Sequence, residues 1–284
     1  MGVNVVVIDS HIHLWRRADG DDVWVAHKIG GLARDFSLGD WRTHADASGV
    51  AGAILVQAAH SIAETERAIA LAAANPRIVG VVGWADLHAE SLAADVARLA
   101  AHPQLVGIRP LPPGTFGADW LGDPRTQRGL ATLGAANVTV DVLVKWPGLT
   151  QARQLLERLP QVRVVLNHCG RPDTMTGLLE PWAGDLKAFA RATSASIKLS
   201  GLIERAGIEW TKESLRPYVE TVIEAFGPSR VMFATNWPVL EIGGTYEGWV
   251  AVLRAILDDM GLTPAERGEI FAGTACRAYG VALP

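Results

Sequence analysis

Cysteine is scarce: Cys169 and Cys276 are the two in 284 residues. A disulfide framework is thereby excluded, their spacing does not suggest a zinc knuckle, and both are expected as thiols. Blocks of Lys or Arg are also missing, and the net charge is −4, so the chain is not expected to track a phosphate backbone or to bind nucleic acid. Long apolar runs are missing as well. The opening one, Val5-Val6-Val7-Ile8, is four residues long and has no basic leader, so it is read neither as a secretory signal nor as a membrane span, and a cytoplasmic protein with no membrane partner is expected. No Ser/Gly/Pro-rich linker divides the chain. With 49% hydrophobic and 20% charged residues, residues 1–284 are expected to form a single domain.

What is present is an alternation. Short apolar, β-branched runs over 5–8, 53–57, 78–84, 105–109, 138–144, 162–167, 196–199 and 230–234 have the continuous hydrophobicity of strands buried on both faces. Helix-like stretches such as 61–74, 90–101, 151–159 and 212–226 lie between them, with signals such as Glu64 in a first turn. Eight strand–helix units demand parallel pairing with helices outside, which predicts a (β/α)8 TIM barrel. Residues 16–40, rich in Asp and Gly, show no period and are expected to form a long first loop over the barrel mouth.

Active sites of such barrels gather at the C-terminal ends of the strands. Asp9-Ser10-His11-Ile12-His13-Leu14-Trp15 directly follows the first run, and positions i and i+2 project to one side, so His11 and His13 are placed to grip one metal ion or one substrate group. The other predicted strand ends carry Gln57, Trp84, Arg109, Asp141 with Lys145, His168, Lys198 with Ser200, and Asn236. So many polar groups on one rim imply a ligand or a network. His168 brings a third imidazole. Arg109 is a planar cation suited to a carboxylate or a carbonyl, or alternatively a partner for Asp141 across the barrel. Trp84, Trp146 and Trp237 are candidate pocket walls, and His27 and His60 lie on loops expected to overhang the mouth.

The motifs containing these residues resemble the amidohydrolase-related sugar lactonases over nearly the whole chain. The match lies in residues 9–15, Leu55-Val56-Gln57-Ala58, Glu64-Thr65, Val81-Val82-Gly83-Trp84-Ala85-Asp86-Leu87, Gly107-Ile108-Arg109, Lys198-Leu199-Ser200-Gly201-Leu202 and Met232-Phe233-Ala234-Thr235-Asn236-Trp237-Pro238. Within that group the chain resembles fuconolactonases and rhamnonolactonases, with sulfomuconolactone and pyrone-dicarboxylate lactone hydrolases as cousins. The resemblance implies that His11, His13 and His168 line the reaction centre, with or without one divalent metal such as zinc or manganese. It also implies water attack on a small lactone. One departure stands out. The family usually ends its last strand with an aspartate that activates water, and the matching residue here is Asn236, which accepts no proton at neutral pH. Pro110 and the segment 167–172 also differ from the common sugar-lactonase wording.

The expectation is a lactone hydrolase with His11, His13, His168 and Asn236 as its catalytic set. Arg109, Gln57, Trp84, Asp141 and Trp237 are expected around a sugar or anionic lactone. If a metal is bound, the three histidines hold it and Asn236 orients the water. Otherwise the imidazoles act as base and oxyanion donors while Arg109 grips the substrate. A decarboxylase of the same superfamily and a non-catalytic binding barrel are the alternatives.

Overall fold

Eight short strands alternate with helices: β1 (Ile8–Ile12), β2 (Gly52–Val56), β3 (Ile78–Gly83), β4 (Leu105–Ile108), β5 (Thr139–Val142), β6 (Val164–Leu166), β7 (Ser196–Leu199) and β8 (Val231–Phe233). Each pairs in parallel with the next, in the order of the sequence. The computed structural model describes residues 5–20, 30–112 and 119–284. Just beyond β8 the ring is drawn together, because Ile12 bridges Trp237, the His13 N–H donates to the Trp237 carbonyl at 2.7 Å and the Asn236 N–H to the His11 carbonyl at 2.9 Å. This is the expected (β/α)8 TIM barrel.

Alternate strand residues, among them Ile54, Val56, Val82, Val165 and Met232, cluster with Ala275 and Tyr279 of the C-terminal helix Thr274–Tyr279. That helix reaches the barrel interior. Its Ala278 carbonyl accepts the Thr139 hydroxyl at 2.8 Å. Outside the ring, helices such as Ile62–Ala74 and Lys212–Phe226 bury one face each, started by Ser61 and Thr211, whose side chains accept N–H groups of the first turn. Among the described residues no helix is long and apolar enough to cross a membrane.

Two local expectations need correction. The first strand runs over Ile8–Ile12 rather than 5–8, so Asp9, Ser10 and His11 lie within it, fully buried. Polar residues are tolerated there because each finds partners: Asp9 accepts from the Thr235 hydroxyl (2.6 Å), the Tyr246 hydroxyl (2.9 Å) and the Thr235 N–H (2.9 Å), and Ser10 donates to the Phe233 carbonyl (2.6 Å). The supposed loop 16–40 also ends early. Trp15 pairs with Phe36, and a helix Leu38–Ser48 begins at a capping box formed by Ser37 and Asp40. Residues 21–29, including His27, lie outside the described residues.

Candidate active site

The strand ends converge on a chain of hydrogen bonds. Asp141 of β5 accepts from the Tyr279 hydroxyl (2.6 Å), the Asn167 amide (2.9 Å) and Lys198 Nζ (2.7 Å). Lys198, on β7 and with no exposed surface, also lies 3.2 Å from His11 Nδ1. An ammonium can only donate, and so can the Arg109 guanidinium, whose Nη1 lies 3.4 Å from His11 Nε2, so the two cations compete for one imidazole lone pair. The shorter Lys198 contact is taken as the hydrogen bond, which puts the His11 proton on Nε2. That nitrogen is 3.1 Å from His13 Nε2, which accepts, since His13 Nδ1 donates to the Val56 carbonyl at 2.9 Å. One set of tautomers therefore satisfies the whole relay from Asp141 to His13.

Arg109 sits at the end of β4 with 5% of its surface exposed. Its Nη2 donates to the Gln57 carbonyl at 2.6 Å, Nη1 lies 3.4 Å from His11 Nε2, and Nε is buried with no hydrogen-bond partner. His168 follows β6 in a left-handed turn, with φ of 54° at His168, 54° at Cys169, 67° at Gly170 and 52° at Arg171. Non-glycine residues there cost about 1 kcal/mol or more each and cluster at functional sites. The turn is held by Ser200, 2.9 Å from His168 Nδ1, and by the close approach of Gly201, where a Cβ would come within 2.5 Å of the His168 Cβ. Asn236, also at positive φ (63°), donates its amide to Glu204 Oε1 at 2.7 Å.

Burial lowers the pKa of all three imidazoles, with neighbouring cations reinforcing the effect: Lys198 for His11, Arg109 for His13, which falls to about 3, and Arg171 for His168. They are neutral at physiological pH. His60 is lowered too, again chiefly by burial. Each of the four protonates less readily in the fold than in the unfolded chain, so stability is lost as pH falls through about 6.5. Asp9, raised by burial to about 6, and Glu204, also raised by burial, act in the opposite sense, but four imidazoles outnumber two carboxyls. The thermal unfolding midpoint is expected to drop by several degrees between pH 7.5 and 5.5; a flat or rising profile would show that the imidazoles are not held neutral.

A cavity of about 390 Å³ opens over this centre. Its polar lining is His13, Gln57, Arg109, His168, Glu204 and Asn236, with His60, Arg171 and Arg205 adding basic groups; Leu111, Leu143, Val239 and Ile242 are apolar. His11 lies behind His13 rather than on the cavity wall. Asp141, expected at the substrate, is buried away from the cavity with both oxygens engaged. Trp237 is likewise buried, its indole N–H given to Glu241 and its ring against Phe36. Trp84 donates to the Leu111 carbonyl and stacks on His60, one layer behind the wall. Glu204, Arg171 and Arg205 are lining residues that the sequence reading does not include; Glu204 lies five residues beyond the end of β7, and its position on the strand-end loop is the available signal.

The sequence model of the Amidohydrolase family matches residues 8–281. The chain belongs to the amidohydrolase family. This amidohydrolase is 31% identical to an L-fucono-1,5-lactonase of Burkholderia ambifaria over 98% of its own length and 96% of that protein's. It is 32% identical to an L-fucono-1,5-lactonase of Burkholderia multivorans, covering 98% and 97%. A crystal structure of a Burkholderia multivorans amidohydrolase with bound zinc superposes with a TM-score of 0.88 at 31% identity, covering 98% of this chain and 100% of that one.

The donor set of this amidohydrolase does not suit such an ion. Among the described residues no three His, Cys, Asp or Glu side chains are arranged to hold one. The Lys198 ammonium on His11 Nδ1 leaves the proton on Nε2, the nitrogen a metal would need. Arg109 adds a second cation nearby, and Asn236 contributes no charge to offset it. The expectation that His11, His13 and His168 bind a metal is therefore not carried forward.

Proposed function

We propose that this amidohydrolase opens a small lactone carrying an anionic or strongly polar group, by water attack and without a bound metal. The observation that carries the reading is the buried Arg109 guanidinium in the cavity wall beside two neutral imidazoles, His13 and His168. Membership of the family and the resemblance to lactonases along the full chain support it.

As the ring carbonyl is attacked, negative charge develops on its oxygen. A fixed cation in a partly dry site is worth most at that moment, and a single such donor typically contributes about 10²–10³ in rate. Arg109 needs no rearrangement to act, since the Gln57 carbonyl already anchors it. The Asp141–Lys198–His11 relay fixes the His13 ring so that it faces the cavity in one tautomer. Arg171 and Arg205 are placed for a further carboxylate of the substrate, while Leu111, Leu143 and Val239 take its apolar part. A cytoplasmic location belongs to the same proposal.

A hydrolysis screen with a pH-indicator readout tests the reading. The panel should hold L-fucono-1,5-lactone, other aldonolactones and carboxylated lactones such as muconolactone and 2-pyrone-4,6-dicarboxylate. At least one should be opened with kcat/KM of about 10⁴ M⁻¹s⁻¹ or more. Activity should stay within about twofold after treatment with EDTA and dipicolinate. Loss on chelation with recovery on adding zinc or manganese would overturn the metal-free version. Binding of a lactone with no turnover of any, or release of carbon dioxide instead, would overturn hydrolysis.

A further inference from the structure

Opening a lactone requires a group that takes a proton from the attacking water. The candidates in the cavity wall are few. His13 Nε2 already accepts from His11, the guanidinium groups of Arg109, Arg171 and Arg205 carry no free lone pair, and Asn236 is a neutral amide. Glu204 is the one carboxylate among the described residues that line the cavity. Its Oε1 is fixed by the Asn236 amide at 2.7 Å, and its Oε2 is buried with no hydrogen-bond partner. The segment carrying it, Ile203–Ala206, is clamped from the far side, because Gly243 sits so close to the Ile203 carbonyl that any Cβ there would collide with it.

We propose that Glu204 is the general base of the lactonase reaction and that Asn236 is its positioning residue, so that the loop after β7, rather than the end of β8, supplies the carboxylate of this site. This rests on the lactonase reading. The Glu204 carboxylate takes a proton from water as the water oxygen bonds to the carbonyl carbon. The ring C–O bond then breaks, the proton passes from Glu204 to the departing ring oxygen, and the product is a hydroxy acid; nothing is oxidised or reduced. Burial raises the pKa of this carboxyl, while Asn236, Arg171 and Arg205 pull it back down. A base moved toward neutrality is better matched to water than an ordinary carboxylate. His168 and His60 are the competing bases in the lining, and burial lowers the pKa of both imidazoles while it raises that of Glu204.

The test uses the full-length protein and the lactone that the wild type opens fastest in the panel, beginning with L-fucono-1,5-lactone. Glu204→Gln should lower kcat about a hundredfold or more, with KM within about threefold, and should abolish the acid limb of the kcat profile. Asn236→Asp added to that variant should restore at least about tenfold, because it returns a carboxylate from the other side of the same hydrogen bond. Asn236→Ala alone should cost less than Glu204→Gln. Should Glu204→Gln not fold, as judged by circular dichroism, Glu204→Asp serves instead: it should lose about tenfold in kcat while keeping the acid limb. A Glu204→Gln variant within about threefold of wild type, or one whose acid limb persists, would overturn Glu204 as the base and leave lactone hydrolysis standing. A wild type inert toward every lactone would remove both proposals together.

Discussion

Asp141→Ala is expected to destabilise the protein by about 3–5 kcal/mol, the range for removing one partner of a buried ion pair. Lys198 and Asp141 have fully buried side chains 2.7 Å apart, so the variant leaves an ammonium in the barrel interior without a counter-charge. It also takes the acceptor from the Tyr279 hydroxyl and from the Asn167 amide. For a chain of this size the unfolding midpoint should fall by roughly 10 °C. Asp141→Asn with Lys198→Met removes both charges and should recover most of that loss, because a buried pair is often no more stabilising than an apolar replacement. Activity should not return with it, since His11 then lacks the donor that sets its tautomer. Thermal and urea unfolding of the single and double variants provide the check, and a single-variant effect below about 1 kcal/mol would show that the pair is not held charged in the interior.

Arg109→Lys is expected to lower kcat/KM about a hundredfold, a loss of roughly 2.7 kcal/mol of transition-state binding. The guanidinium spans two tasks, with Nη2 on the Gln57 carbonyl while the rest of the fork faces the cavity. A lysine ammonium is a point charge on a flexible stem and cannot do both. The split between kcat and KM is informative. If Arg109 stabilises the oxyanion, the kcat loss should appear with every lactone. If it also binds a substrate carboxylate, a further rise in KM should appear with carboxylated lactones alone. Steady-state kinetics with one lactone of each kind separates the two, and unchanged kinetics with both would make Arg109 a structural residue.

The barrel and the place of its chemistry could be read from the chain because they depend on local rules. A strand buried on both faces must be apolar throughout, and eight such runs separated by amphipathic stretches leave few folds open. The two-residue spacing of His11 and His13 requires only that side chains alternate along a strand. The first strand was misplaced by the same rule: Asp9 and Ser10 look like a strand end, and their burial is made possible by Thr235, Tyr246 and the Phe233 carbonyl, more than 220 residues away.

What the chain alone could not decide is which strand-end residues face the cavity and which face one another. Asp141 and Lys198 lie 57 residues apart in sequence and become a pair only when β5 and β7 curve around a closed ring. That closure turns Asp141 from a candidate substrate ligand into the anchor of the histidine relay. It also supports the proposal of a metal-free site, because the tautomer assigned to His11 follows from where Lys198 points. The same holds for Asn236, which as a lone substitution removes a carboxylate from the last strand. The tertiary structure sets Glu204 against it at 2.7 Å, and the physical reason is packing: only when the loops after β7 and β8 press together, with Gly243 against Ile203, does a carboxylate from one loop come within reach of an amide on the other.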